Sequence, residues 1–308
     1  MDEIVYSLVI PVLNAAETLD ETYSRADATM SSTGKKFEII FVDDGSTDAS
    51  WSTLSRLQKA HPDKVTAIAL SRNFGQHNAT LCGFGFAKGE YIITMDDDLQ
   101  TPPEEILKLI AHHTEYETAL VYGYYAKKQH SVIRNTGSSM LKKAGKMLAK
   151  NPGEGSSFRL IEKALVERIL THVQNFVFID ELLLWYTSDI GFVEVQHEKS
   201  HKKSASSYSS RKLFGLAANI MIYYSSLPLR IMIWGGFLSS IVSFLFGLYF
   251  LVRKFMHMAM HGYTSIIVAI LFSTSIIVFS IGILGEYLNR LYMVQNRKPS
   301  FHIKRILK

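Results

Sequence analysis

The stretch YIITMDDDLQTPPEE, residues 91–105, runs an apolar segment straight into three carboxylates and then into a proline pair. A short apolar run with no polar face reads as a strand buried on both sides. Along an extended chain successive side chains alternate, so Asp96 and Asp98 leave one face and Asp97 leaves the other; Gln100 repeats the parity of the pair. Hard oxygen ligands fixed on one side suit Mg2+ or Mn2+, which bind through one or two carboxylates and take further oxygens from substrate phosphates. Pro102 and Pro103 then fit the first turn of a helix, and Glu104 and Glu105 complement its positive end. The bland alternative is an acidic surface turn, since a bare D-x-D is common by chance. Its place after a buried strand is what gives it weight.

Outward from this segment the chain alternates between two periodicities. SLVIPVL (7–13), FEIIFV (37–42), VTAIAL (65–70), YIITM (91–95) and ALVYGYY (119–125) are nearly continuous apolar runs. Helical patterns fall between them, at 15–32, 48–61, 76–88 and 103–115. The alternation predicts right-handed βαβ units, hence an α/β fold with a mostly parallel sheet and helices on both faces. Ligands bind such sheets at the carboxyl ends of the strands. Pro11 and Asn14 stand at the first such end, Asp43 and Asp44 at the second, Arg72 and Asn73 at the third, and the Asp triplet at the fourth.

In FVDDGSTDAS, residues 41–50, Gly45 through Asp48 read as a turn and helix cap. That leaves two carboxylates directly after an apolar strand, and there they can accept hydrogen bonds from a ribose or a base N–H.

The remaining third is of another kind. Residues 231–252 and 266–285 contain no charged residue, and each has the length needed to cross a bilayer core as a helix. Two buried core helices are the alternative, but neither stretch has a polar face. Basic residues cluster before the first stretch and after the second, outnumbering Arg253 and Lys254 between them, which puts both termini in the cytoplasm. MDEIVYSLVIPVLN lacks the pattern of a signal peptide. The net charge of +5 suits an anionic leaflet, and the soluble part shows no basic face with aromatic interleaving for nucleic acid. Cys82 is the single cysteine, which excludes an intramolecular disulfide and a Cys-based zinc site. The expected layout is a catalytic domain over 1–210, a juxtamembrane amphipathic helix over 211–230, spans over 231–252 and 266–285 joined by a short external loop (253–265), and a basic cytoplasmic tail over 286–308. Glu286 and Arg290, four apart on one helix face, can pair with each other or contact another subunit, and a homo-oligomer is expected.

VIPVLN, VDDGSTD, LSRNFGQHNA, MDDDLQTPPEE, SSFRLI, PLR and IGILGEYLNRLY with RKPSF, in this order and with two C-terminal apolar stretches, resemble the family-2 inverting glycosyltransferases that act on polyisoprenyl phosphates. The bacterial undecaprenyl-phosphate glycosyltransferases look most similar, with dolichol-phosphate mannose synthase a more distant likeness. The resemblance covers nearly the whole chain. It implies a Rossmann-like nucleotide-sugar-binding domain followed by an interfacial helix and two transmembrane helices in a bacterial inner membrane, with a polyisoprenyl phosphate acceptor and a nucleotide-sugar donor; the motifs do not separate UDP-sugars from GDP-sugars, and the bacterial likeness favours UDP. Pro11, Asp43 and Asp44 match positions holding base and ribose; Asp96 and Asp98 match the metal motif, with Gln100 an additional ligand; Arg72 and Asn73 match a donor- or phosphate-proximal pair. Asn14 and Asp97 count with the substrate-binding set.

Two departures from the family pattern stand out. An acidic residue commonly precedes Phe-Arg-Leu, and here it is Ser157. The basic stretch that ends in G-x-S-x-Y carries His201 and Ser204 instead of arginine and glycine, which leaves Lys202, Lys203, Arg159 and Arg211 to contact phosphate. A lipid phosphate is already ionised at neutral pH, so it needs a general base less than a sugar hydroxyl would, and the loss of the acidic residue is tolerable. Two other classes are weighed: a catalytically silent sugar-nucleotide binder or scaffold, which has no need of Asp96 and Asp98, and a processive synthase, whose Q-x-x-R-W signature is not found.

Overall fold

The five apolar runs all form strands, and the four helical patterns fall between them as read. The computed structural model describes residues 3–125, 156–171, 178–198, 263–296 and 299–308, with individual helical positions between 232 and 249. Lys202, Lys203, Arg211, His201, Ser204, the helix expected over 211–230, most of the loop 253–265 and the side chain of Arg290 lie outside the described residues. The chain divides into two units: Met1–Ser207 with Pro299–Lys308, and Tyr208–Lys298.

In the first unit β1 (Tyr6–Val12), β2 (Phe37–Asp43), β3 (Val65–Leu70), β4 (Tyr91–Thr94) and β5 (Leu120–Tyr125) alternate with α1 (Leu19–Ser32), α2 (Ser50–Ala60), α3 (Gln76–Phe84) and α4 (Ile106–Tyr116). All seven residues of β1 are buried, as a strand covered on both faces requires. β1 pairs in parallel with β2 and β4, and β2 with β3. Pro11 sits in this central strand without breaking it. Val9 O accepts from Met95 and Val12 O from Asp44, so the missing N–H of Pro11 faces the β4 side, where the ladder has already ended at Thr94.

The sheet is larger than the apolar runs suggest, with order β7-β5-β6-β4-β1-β2-β3-β8. β6 (Arg159–Glu162) inserts antiparallel between β4 and β5, and β7 (Ile190–Val195) adds in parallel outside β5. Two short helices, α5 (Lys163–Leu170) and α6 (Ile179–Tyr186), lie between β6 and β7. β8 (Ile303–Leu307) pairs antiparallel with β3, so the expected basic tail contributes a strand to the sheet of the first unit. Leu307 packs against the core, and Ser71 N donates to His302 O at 2.9 Å. A short, lysine- and arginine-bearing strand closes the edge, as edge strands commonly are.

In the second unit α7 (Tyr263–Gln295) runs for 33 residues and extends past the expected span 266–285 at both ends. At 1.5 Å per residue it is about 50 Å long, more than a bilayer core of ~30 Å. Among the described residues it is the one helix long and apolar enough to cross a membrane. Most of its described apolar side chains are exposed, Phe272 and Phe279 with 67% and 68% of their surface bare, while Ile276, Ile283 and Tyr287 along one stripe are half-buried.

Candidate functional site

The carboxyl ends of β1 to β4 lie along one rim of the sheet, and the loops leaving them are stitched together by short side chains. Asn14, with φ of 49°, takes the left-handed conformation that Asn tolerates; its N–H donates to Ser46 Oγ and its Oδ1 accepts from Thr47 N, both at 2.9 Å. Asn14 thus ties the β1–α1 loop to the β2–α2 turn. Asp43 accepts from Ser46 N at 2.9 Å, closing that turn. Gly45, φ 74°, is obligatory on two counts: a Cβ there would stand 2.5 Å from the backbone carbon of Arg72.

Asp44 holds the next loop. Its two oxygens accept from Phe74 N and Gly75 N at 2.7 and 2.9 Å. Burial, with the Asp43 charge added, pushes its carboxyl up to about 6 against the pull of these two N–H groups. Asp44 therefore fixes the strand end that presents Arg72 and Asn73, and both of those side chains are exposed. Arg72 lies over the Phe74 ring, 4.8 Å from its centre.

The three carboxylates have different partners. Asp97 is buried and turned toward the β1–α1 loop, accepting from Leu13 N at 2.9 Å, while its carbonyl accepts from Thr18 Oγ1 at 2.7 Å. Asp96 and Asp98 meet other partners. Asp96 Oδ1 accepts from Gln76 Nε2 at 2.5 Å and its Oδ2 from Ser157 Oγ at 2.6 Å. Asp98 Oδ2 accepts from Gln100 Nε2 at 2.6 Å, and Oδ1 from Gln100 N at 3.1 Å. Leu99 between them is fully buried with φ of 56°, a strained turn that brings Gln100 back onto Asp98. Burial pushes the Asp96 carboxyl up to about 6, with the charges of Asp98 and Asp97 adding to it and Ser157 opposing.

This donor set fits a divalent cation. Asp96 and Asp98 stand two residues apart in the loop after β4, and each described partner of their oxygens is an N–H or O–H, the polarity a cation would replace. Among the described residues no lysine or arginine pairs with Asp96 or Asp98, and no third His, Cys, Asp or Glu joins them. A cation held here therefore keeps positions for phosphate oxygens and water.

Arg159 lies beneath the rim. It is 2% exposed; Nε donates to Thr94 Oγ1 at 3.1 Å and Nη1 is engaged by Asp180 at very short range. Asp180 also accepts from Tyr122 OH at 3.0 Å, and Thr94 Oγ1 donates to the Ser157 carbonyl at 2.5 Å. A buried ion pair under β4 and β6 thus holds the residue that orients Asp96. His77 contacts the edge of Phe178, and burial pushes its imidazole down to about 4, so it is neutral.

Gln76, Thr94 and Asp180 are site residues that pattern reasoning passed over. GQHN gives no sign that the first glutamine of a helix reaches a strand end. Asp180, in FIDELLLWY, looks like an acidic residue in a helix's first turn.

The segment that follows β7 is fastened to the same loop, since Glu198 N donates to Gln100 O at 2.8 Å and Gln196 N to Glu105 at 3.0 Å. The basic segment around 201–203 follows directly in the sequence.

Comparison with known proteins gives this geometry its setting. Residues 7–170, more than half the chain, match the model of glycosyl transferase family 2, and residues 227–291 match the GtrB C-terminal hairpin. A Pseudomonas aeruginosa protein named undecaprenyl-phosphate 4-deoxy-4-formamido-L-arabinose transferase is 32% identical over 98% of this chain and 90% of its own length. A Klebsiella pneumoniae protein of the same name is 30% identical over 98% and 93%. Among solved structures, glucosyl-3-phosphoglycerate synthase from Mycobacterium tuberculosis in complex with UDP superposes with a TM-score of 0.50 at 17% identity, covering 71% of this chain and 79% of that one, a likeness of fold. A shared sheet, a carboxylate pair at the end of β4 and a chain-long relationship to named transferases lead to one assignment: this chain is a glycosyltransferase and belongs to glycosyl transferase family 2.

Proposed function

We propose that the enzyme transfers a sugar, with inversion, from a nucleotide-sugar to a polyisoprenyl phosphate at the cytoplasmic face of a bacterial inner membrane, using Mg2+ or Mn2+. The observation that carries this reading is the Asp96–Asp98 pair just past the end of β4, contacted by N–H and O–H donors, in a chain related along 98% of its length to enzymes named for undecaprenyl phosphate. A UDP-sugar is the favoured donor.

In this reading Pro11 and Asp43 border the base and ribose, and Asp44 keeps the loop of Arg72 and Asn73 beside the diphosphate. Asp96, Asp98 and Gln100 hold the cation, which when bound offsets charge on the departing nucleotide diphosphate. Ser157 orients Asp96 and takes no proton, because the acceptor phosphate is ionised before it arrives. Lys202, Lys203 and Arg211 are assigned to the acceptor phosphate; Arg159 acts from below, through Thr94 and Ser157. Residues 211–230 form an interfacial helix, 231–252 and 266–285 the two spans, and copies of the chain associate through the hairpin.

The test is a screen of radiolabelled nucleotide-sugars against membranes supplied with undecaprenyl phosphate, followed by lipid extraction. Label in the lipid phase that depends on both Mg2+ or Mn2+ and the added lipid supports the reading. Incorporation only into water-soluble product overturns it.

A further inference from the structure

Gln76 is the first residue of α3, and its backbone belongs to the loop fixed by Asp44. That loop has little freedom: Gly75 N donates both to Asp44 and to Asn73 Oδ1, Asn78 Nδ2 donates to Phe74 O at 2.8 Å, and the backbone at Arg72 packs against Gly45. From this fixed base the Gln76 side chain crosses to β4 and donates to Asp96 Oδ1. A contact between the Arg72–Asn73 loop and a cation ligand therefore runs through one carboxamide.

A carboxamide has two ends of opposite polarity and nearly equal size. Facing a bare carboxylate it must present NH2. Facing a cation seated on that carboxylate, the same NH2 would be repelled, whereas the carbonyl oxygen is the hard donor that Mg2+ or Mn2+, or its bound water, accepts. A half-turn about the last side-chain bond exchanges the two, and that torsion is broad and roughly two-fold. Gln100 stands on Asp98 in the same way, but from within the acidic loop itself.

We propose that Gln76 is a positioning residue that reverses its carboxamide on cation binding: it donates to Asp96 in the metal-free enzyme and turns its carbonyl to the cation or its water shell in the loaded one. The loop of Arg72 and Asn73 stays fastened to the site in both states, and cation occupancy and diphosphate contact are coupled through it. The inference rests on Asp96 and Asp98 being the cation's ligands.

The experiment uses the full chain in detergent and measures Mn2+ binding by electron paramagnetic resonance without donor, alongside amide exchange over residues 72–76. Gln76→Leu keeps the bulk and removes both polar ends. It should weaken Mn2+ binding roughly 10-fold or more, as loss of an outer-shell partner does, and it should speed exchange in the loop with and without metal. Gln76→Glu supplies acceptor oxygens only, so it should speed loop exchange in the metal-free state and restore protection when Mn2+ is added. Gln76 is exposed, and both variants should melt with the parent. Parental Mn2+ affinity and parental exchange in both variants would overturn the role of Gln76 while leaving the cation site standing. A parent that binds no Mn2+ would overturn the cation site and this inference together.

Discussion

At the scale of single residues, the two carboxylates of one parity have different work from the third. Asp98→Asn removes one of two anionic ligands while leaving Gln100 an oxygen to donate to, so transfer should fall by more than 100-fold with an unchanged melting curve; activity within about twofold of the parent would remove the metal assignment. Asp180 gives a stability prediction instead. Its removal leaves the Arg159 guanidinium buried and unpaired, which costs about 3–5 kcal/mol, a large part of the ~5–15 kcal/mol by which a domain is stable. Asp180→Ala should therefore unfold far more readily than the parent in a urea titration, and the double variant Arg159→Met with Asp180→Leu should recover much of the loss. Recovery of stability without recovery of rate would show that the pair matters to Asp96 as well as to the core. The parity of the triplet was legible because alternation needs only the local chain. Gln76 and Asp180 were not, because their partners lie 20 and 21 residues away and only the sheet brings them together.

At the scale of elements, β1 to β5 could be read because strands buried on both faces are nearly continuous apolar runs. RLIE in β6 and IGFVEV in β7 carry charge, and KR in β8 suits an edge, so none of the three announces itself. The segment that follows β7 delivers the chain to Gln100 immediately before the basic segment. Replacing Lys202, Lys203 and Arg211 together with Gln should raise the KM for a short-chain polyprenyl phosphate by tenfold or more in micelles, since each charge-assisted contact contributes roughly 1.5–3 kcal/mol, and should leave the KM for the nucleotide-sugar nearly unchanged. A rise confined to the donor constant would move the basic segment to the diphosphate.

At the scale of the whole molecule, residues on both sides of the apolar region belong to one sheet. A folded domain cannot be divided by a bilayer, so the proposed topology requires an even number of crossings between Ser207 and Pro299, and the two charge-free stretches of the sequence would supply two. A cysteine placed after Phe301 should accordingly react with an impermeant maleimide only in inside-out vesicles; labelling in intact cells would leave the donor site on the wrong side. The same strand pairing sets an order of events at the ribosome. β3 is complete early, but its partner β8 is made only after residues 71–302 have been synthesised, roughly tens of seconds later at ordinary translation speeds. During that interval β3 presents a bare row of peptide groups, open to mispairing or to proteases. In the proposed topology a chain that crosses the bilayer only once cannot return its last strand to that edge, so the order of the sequence would tie completion of the sheet to correct insertion of the hairpin.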